Sequence, residues 1–194
     1  MTNNVFRPLL ITLVIIVSGL VIPKTGRCAV IEGVTFNNAV MADDARLVLK
    51  GTALLRYLVF IKAYVGAFYL PEGVDSKQAL TEVPRQLVLE YFHGIRAGQF
   101  DEATRVTIKE NVSPGSLARM QPKIDQLGAA YRDVKPGDRY ILTYVPGVGT
   151  RLALNDKVLV VIPGADFSKA VFSIWIGENP IDASFRDNIL GIGR

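Results

Sequence analysis

Arg56 is the residue whose surroundings most suggest chemistry. It lies in LLRYLVFIKAYVGAFYL (54–70), an almost wholly apolar or aromatic segment that also contains Lys62 and Tyr64. A buried guanidinium is costly unless an anion meets it, and its planar donors can bind a carboxylate or phenolate bidentately. We therefore predict an anionic-headgroup clamp with Tyr64 and Lys62 beside Arg56, if the segment folds back as a hairpin. The alternative places Arg56 at a strand end with its head in water.

Other combinations of residues give little support to catalysis or metal binding. His93 is the only histidine, and no cluster of acids, serines or cysteines lies near it in the sequence. The stretch GVGTRL (147–152) has Leu152 where a phosphate-binding loop would need a third glycine, so it is interpreted as a hairpin turn. Acidic pairs such as Asp101–Glu102 fall at predicted turns or helix starts. We expect no catalytic residue, no metal site and no cofactor.

The N-terminus has the organisation of an export signal. One positive charge in MTNNVFR precedes the apolar run 9–22, which is followed by PKTGRCA. The run of 14 residues is short for a membrane span. Cleavage is predicted after Cys28 or Ala29, giving a signal peptide over 1–29, one domain over 30–194 and a periplasmic or secreted location. The alternative is an uncleaved membrane anchor, because Arg27 stands where small residues are preferred.

The charge balance of the remaining chain argues against a nucleic-acid partner. Three of the 22 Lys and Arg residues, Arg7, Lys24 and Arg27, precede Ala29, and no acid does, which leaves 19 basic against 18 acidic residues. The basic character of the whole chain is thus largely a property of the export segment. Cys28 is the only cysteine, so the predicted domain can contain no internal disulfide.

The order of predicted elements indicates one α+β domain with an antiparallel sheet. Alternating apolar runs over 30–70 and 85–92 predict strands, and residues on both faces of 54–70 are apolar, so that strand should be covered on both sides. Helical spacing follows over 97–130, where Pro122 should kink or divide the second helix. A three-stranded meander over 135–164 and two final helices complete the chain.

Three blocks of sequence resemble the chalcone isomerase-like family, specifically its short exported bacterial members. They are LVLKGTALLRYLVFIKAYVGAFYL, KPGDRYILTYVPGVGTRLALND and FSIWIGENPIDASFRDNILG. The resemblance covers about 30–192 and implies a large antiparallel sheet with helices packed on one face and a ligand cleft between them. Plant members of the family either close chalcones to flavanones or hold a fatty acid whose carboxylate meets an arginine and a tyrosine.

Carried onto this chain, the resemblance matches Arg56 to the cleft arginine and Tyr64 to the tyrosine of the fatty-acid binders. The isomerases' catalytic tyrosine and asparagine fall near Leu117 and Ile124, neither of which can donate a hydrogen bond. The resemblance thus implies that the hydrogen-bond donors needed for ring closure are absent at these two positions, whereas the anion-binding pair of Arg56 and Tyr64 is retained.

The leading hypothesis is an exported, non-catalytic binder of a fatty acid or other hydrophobic carboxylate. Arg56, Tyr64 and Lys62 would hold the carboxylate, and Phe60, Phe68 and Leu117 would line the tail site. An isomerase or lyase acting on a chalcone-like phenolic enone and an envelope protein-interaction module are the alternatives. An uncleaved signal would give membrane association, and no nucleic-acid partner is expected.

Overall fold

A computed structural model describes residues 28–58 and 60–192. It contains nine strands: β1 Cys28–Ile31, β2 Val34–Asn37, β3 Ala39–Ala42, β4 Ala45–Tyr57, β5 Ile61–Pro71, β6 Arg85–Tyr91, β7 Arg139–Val145, β8 Gly149–Leu154 and β9 Lys157–Ile162. The helices are α1 Ala97–Asn111, α2 Pro114–Ala130, α3 Ala165–Ile176 and α4 Ala183–Ile189, and a short 3₁₀ helix spans Ser76–Gln78. The predicted α+β class is confirmed.

Seven strands form one antiparallel sheet in the order β3-β4-β5-β6-β7-β8-β9, which is also their order along the chain. Each strand therefore pairs with its predecessor, and only the β6–β7 connection carries long helices, α1 and α2. The β7–β8–β9 meander predicted over 135–164 is present. The strands β1 and β2 form a separate two-stranded hairpin.

Both faces of the large sheet are covered, as the apolar faces of 54–70 predicted. On β5, Tyr64, Phe68 and Leu70 point into the main core, which also contains residues of all four helices. Val65, Ala67 and Tyr69 alternate onto the opposite face and pack with Val34 and Phe36 of β2. The helices therefore occupy one face, and the β1–β2 hairpin closes a smaller core on the other.

The second helix runs without division through Pro122, contrary to one of the two expected effects of that proline. Pro122 donates no backbone hydrogen bond, yet Met120 and Ile124 on either side are buried in the main core. Burial of this apolar face compensates for the missing bond. At the start of α3, Gly164 is the N-cap residue, and the Asp166 carboxylate accepts a hydrogen bond from the Phe167 amide within the first turn.

The buried arginine of this fold is Arg85, not Arg56. Only 1% of Arg85 is exposed, and its guanidinium donates to the carbonyl oxygens of Ala79 and Thr81 and to Ser168 Oγ. The rings of Tyr144 and Phe172 lie 4.4 and 4.8 Å from its central carbon. No carboxylate in the described residues pairs with it, and desolvation lowers the Arg85 pKa to about 10. Carbonyl dipoles and aromatic faces thus replace a counterion.

Close backbone approach fixes α4 against the sheet. A Cβ on Gly51 of β4 would collide with the carbonyl oxygen of Asn188 and lie 2.9 Å from that of Ile189. A Cβ on Gly66 of β5 would lie 2.5 Å from the Phe185 ring. Because glycine alone leaves this space, α4 seats directly on β4 and β5.

Candidate functional site

A cavity of about 170 Å³ lies between the large sheet and the helices α1 and α3. Its walls come from β5, β6, β7, β8, the two helices and the segments that flank them. The lining residues are Tyr64, Leu87, Leu89, Tyr91, Ile95, Gln99, Phe100, Ala103, Thr104, Tyr131, Tyr140, Leu142, Leu152, Val171, Ile174, Trp175 and Ile181. The cavity is therefore predominantly apolar and aromatic.

Four tyrosines and Phe100 form a connected aromatic wall. Tyr91, at the end of β6, makes edge-to-face contacts with Tyr64 and Tyr140 at ring-centroid distances of 5.5 and 6.0 Å. Phe100 stacks on Tyr131, the C-cap residue of α2, at 5.5 Å. Edge-to-face and offset contacts of this kind hold rings in defined orientations. The sheet register and the α2 terminus together position these rings.

Among the residues that the structure describes, no charged side chain lines the cavity. Its titratable groups are the phenols of Tyr64, Tyr91, Tyr131 and Tyr140, and burial raises the pKa of each one. A raised phenol pKa keeps the hydroxyl neutral throughout the physiological range. The cavity consequently offers hydrogen-bond donors and no formal charge.

The hydroxyl groups differ in how many partners they have. Tyr140 is saturated, since its hydroxyl accepts the Arg132 amide and donates to the Arg132 carbonyl oxygen, both at 2.8 Å. Tyr131 and Thr104 share one hydrogen bond of 2.8 Å. Tyr64 accepts from Trp175 Nε1 at 3.1 Å, which leaves its own O–H unused.

Tyr91 has the least satisfied hydroxyl. The residue is 3% exposed, and its hydroxyl makes no hydrogen bond to any other described residue. Among the described residues, the fully buried side-chain atoms that lack a hydrogen-bond partner are Arg85 Nε and Thr150 Oγ1, so the Tyr91 hydroxyl retains some accessible surface and can meet a ligand atom or water. Tyr64 and Tyr91 are directly opposite each other on neighbouring strands, which puts their two available O–H groups in one part of the cavity.

The cavity reaches solvent between α1 and the segment before α4. Gln99 and Ala103, on α1, and Ile181 are the exposed members of its lining. Trp175, on α3, is partly buried behind them and is the only tryptophan of the chain. Ligand access therefore requires passage beside these side chains.

The structure places Arg56 and Lys62 outside this cavity, at the surface. They are cross-strand neighbours near the end of the β4–β5 hairpin, and both side chains are about half exposed. Lys62 Nζ lies 2.6 Å from a carboxylate oxygen of Glu32, and Arg56 lies 3.7 Å from the other. The arrangement corresponds to the alternative in which Arg56 stands at a strand end with its head in water.

The other predicted binding residues separate in space. Tyr64 lines the cavity, whereas Phe60 is 87% exposed in the turn that precedes β5. Phe68 is fully buried in the main core against Phe172, and Leu117 packs on that core from α2; neither lines the cavity. The structure thus brings only Tyr64 to the cavity wall, and binding roles for the other residues stay predictions.

Sequence reasoning missed Tyr91, Tyr131, Tyr140 and Trp175 as site residues. Each stands near an element end, in the stretches EYFHG, AAYRD, DRYIL and SIWIG. Their convergence depends on strand register and on helix packing, which the sequence pattern does not specify.

Two negative findings apply to the described part of the chain. Among residues 28–58 and 60–192, no group of three or more His, Cys, Asp or Glu side chains is arranged to hold a metal ion. None of the helices in these ranges is both long enough and apolar enough to cross a bilayer.

Comparisons with known proteins agree with this architecture. A family model described as chalcone isomerase-like matches residues 28–191. A solved structure of the Arabidopsis thaliana fatty-acid binding protein AtFAP1 superposes with a TM-score of 0.65 at 15% identity, covering 85% of this chain and 96% of that one. No curated protein matches the chain. At this identity the structural likeness concerns the fold.

Proposed function

The chain belongs to the chalcone isomerase-like family, and from this premise we propose that it binds a fatty acid or similar amphipathic carboxylate in the cavity between sheet and helices. The observation that carries the proposal is an apolar cavity with two tyrosine hydroxyls available to a ligand, those of Tyr64 and Tyr91. Such a combination of apolar wall and few polar groups is typical of small-molecule sites. AtFAP1, a fatty-acid binding protein of the same fold, supports the ligand class.

The two phenols would hold the polar end of the ligand. Each O–H can donate a hydrogen bond to a carboxyl oxygen, as neutral donors do in oxyanion holes. Because no cation of residues 28–58 and 60–192 lines the cavity, transfer of a charged carboxylate from water would be poorly compensated. We infer that the ligand binds with its head group uncharged, as the protonated acid or an equivalent neutral group.

The size of the cavity favours short chains. Its volume of about 170 Å³ is close to the roughly 150 Å³ of an engineered apolar cavity that binds benzene. A chain of medium length would extend past Gln99 and Ile181 into the mouth. Long chains would need the α1 side of the cavity to move.

A fluorescence titration tests the proposal. Trp175 lines the cavity and is the only tryptophan, so its emission reports on occupancy. Octanoic acid and methyl octanoate would each be added at pH 7.5 and at pH 5. We expect both to alter the emission, with the ester indifferent to pH. The acid should bind about two orders of magnitude more tightly at pH 5, where far more of it is protonated.

The outcomes separate binding from head-group charge. If neither compound alters Trp175 emission or raises the melting temperature, the binding function is wrong. If the acid binds equally well at both pH values and the ester does not bind, binding stands and the uncharged head group is wrong. Mass spectrometry of the purified protein would identify a ligand retained from the cell.

A catalytic function is the second candidate, because neutral phenol donors could also stabilise an oxyanion. The described residues that line the cavity include no His, Asp, Glu or Lys that could serve as a general base near neutral pH, and binding is therefore preferred. Flavanone formation from a chalcone should proceed no faster with the protein than in buffer. Clear acceleration that is lost in Tyr64→Phe would reverse this ranking.

Export is part of the proposal. It rests on the order of charge, apolar run and small residues over 1–29, of which residues 1–27 lie outside the described part of the structure. A binding protein outside the cytoplasm would take its ligand from that compartment or from the membrane facing it.

A further inference from the structure

The end of the β4–β5 hairpin exposes four large apolar side chains to water. Tyr57, Leu58, Phe60 and Ile61, here called the hairpin tip, are 62%, 67%, 87% and 43% exposed. Single exposed apolar residues are ordinary, but a contiguous apolar patch on a monomer marks an interaction site. The function proposed above uses none of these four residues.

The hairpin tip projects from the body of the sheet. The β4–β5 ladder continues to Tyr57 and Ile61, whereas the β5–β6 ladder ends at Tyr64 and Tyr91. On its other side, β4 pairs with β3 only over 45–48. The hairpin therefore presents its apolar end as a narrow projection and not as a flat face.

The turn is not built from residues that favour a turn. Leu58 has a φ of +48°, a conformation usually taken by glycine, asparagine or aspartate in hairpins. A leucine at that position gives up turn stability and adds apolar surface. The sequence of the tip is thus better explained by what it contacts than by how it turns.

Two cations stand one step behind the apolar side chains. Arg56 and Lys62 are directly opposite each other in the ladder, next to the Tyr57–Ile61 pair. Like charges that are directly opposite each other in a hairpin repel. The single negative charge of Glu32, which contacts both cations, offsets one of their two positive charges. An apolar end that is followed by a net positive charge is complementary to an anionic lipid bilayer. The apolar side chains would contact the acyl chains, and the cations would lie at the level of the phosphates.

The length of the chain before β1 is compatible with this orientation. The apolar run 9–22 ends six positions before Cys28, and the five intervening residues can span up to roughly 17 Å. From Cys28, β1 leads to Glu32, which contacts both cations. If the run is held in a membrane, the hairpin tip can therefore reach the same membrane surface.

We propose that the hairpin tip inserts into the interface of an anionic lipid bilayer, with Arg56 and Lys62 at the level of the lipid phosphates. Tyr64 follows Lys62 by two residues along β5 and lines the cavity. Docking would also bring the cavity close to the lipid from which an amphipathic ligand would enter, a consequence that rests on the proposed function. Docking itself does not require that function.

A fluorophore placed at the tip tests insertion directly. The full chain, as recovered from the producing cell, would carry Cys28→Ser with either Phe60→Cys or, as the control, Val161→Cys. Val161 is exposed on β9, at the opposite edge of the sheet. An environment-sensitive dye would be attached to each variant. With vesicles of phosphatidylcholine and phosphatidylglycerol, we expect a blue shift and protection from iodide at position 60 and neither at position 161.

Charge variants test the assignment to anionic lipid. Arg56→Gln should weaken vesicle binding by about fivefold, and Lys157→Gln, a distant exposed cation on β9, should leave it unchanged. An unchanged dye spectrum at position 60 on adding vesicles would overturn the proposal. So would a shift without vesicles that grows with protein concentration, since it would show a second copy covering the tip. Neither readout uses a cavity ligand. The proposal that the hairpin tip docks on a membrane would therefore stand even if the protein bound no such ligand.

Discussion

At the scale of single residues, the hydroxyls of Tyr64 and Tyr91 are the most informative atoms. Tyr64→Phe and Tyr91→Phe should each weaken octanoic acid binding about three- to tenfold, because a neutral hydrogen bond contributes roughly 0.5–1.5 kcal/mol. Calorimetry is the appropriate measurement, since Tyr64→Phe also removes the acceptor of Trp175 Nε1. Tyr69→Phe is the matched control, a buried tyrosine on the opposite face of the same strand. Unchanged affinity in both site variants would contradict the assignment.

Arg85 provides a prediction about stability. Arg85→Lys should lower the free energy of unfolding by about 2–4 kcal/mol, because lysine cannot reproduce the planar set of bonds to Ala79, Thr81 and Ser168. Thermal unfolding should show a fall in Tm of roughly 5–10 °C. Arg119→Lys, at an exposed position on α2, should change stability by less than about 0.5 kcal/mol. A Tm equal to that of the unchanged protein would refute the structural role.

The contrast between Arg56 and Arg85 shows what sequence could and could not reveal about the site. A buried guanidinium needs compensation, and the sequence pattern assigns that burial to Arg56, in the more apolar segment, whereas the structure buries Arg85. Arg85 is the first residue of β6, RQLVLEY, and the local sequence gives no sign that its side chain is buried. Its burial depends on Phe172 and Ser168, which lie more than eighty residues later in the chain. A local sequence pattern cannot predict contacts between residues that are so far apart in the chain.

At the scale of elements, the seating of α4 on β4 depends on Gly51. Gly51→Ala should destabilise the protein by about 1–3 kcal/mol, because its Cβ would meet backbone oxygens of α4 that cannot move alone. Gly98→Ala is the matched control: its Cβ meets open space in the first turn of α1, and the substitution should change stability by less than about 0.5 kcal/mol. Denaturant unfolding measures both. Equal effects from the two substitutions would exclude close packing as the cause.

Element types were more predictable than element contacts. The strand β5 follows from a continuous apolar run, because a strand covered on both faces is apolar on both, and the meander over 135–164 follows from short strands separated by turn residues. Pro122 was expected to kink or divide α2, and the helix remains undivided because tertiary burial outweighs local preference. The sequence predicts that both faces of the strand are covered, but it does not predict that the β1–β2 hairpin covers the second face. Nothing in the eight paired residues of that hairpin indicates where it packs.

At the scale of the whole molecule, the proposed export makes a prediction about the mature N-terminus. N-terminal sequencing of protein recovered outside the cytoplasm should begin between about Ala29 and Ile31. A start at Val30 would keep the Val30–Thr35 and Ile31–Val34 pairs of the β1–β2 hairpin and remove the other two. The smaller core would persist, because Val34 and Phe36 belong to β2. A product beginning at Met1 in a membrane fraction would establish the anchor alternative.

The chain-ordered sheet has a consequence for the time course of folding. A polypeptide that emerges from its N-terminus delivers β3 to β6 in succession, so every new strand finds its partner already waiting. The β6–β7 pairing is different, because α1 and α2 must be made first. Closing that longer loop carries the largest entropic penalty among the strand pairings. Until it closes, the edge of β6 and half of the cavity wall stay open, so the ligand site is among the last parts of the molecule to exist.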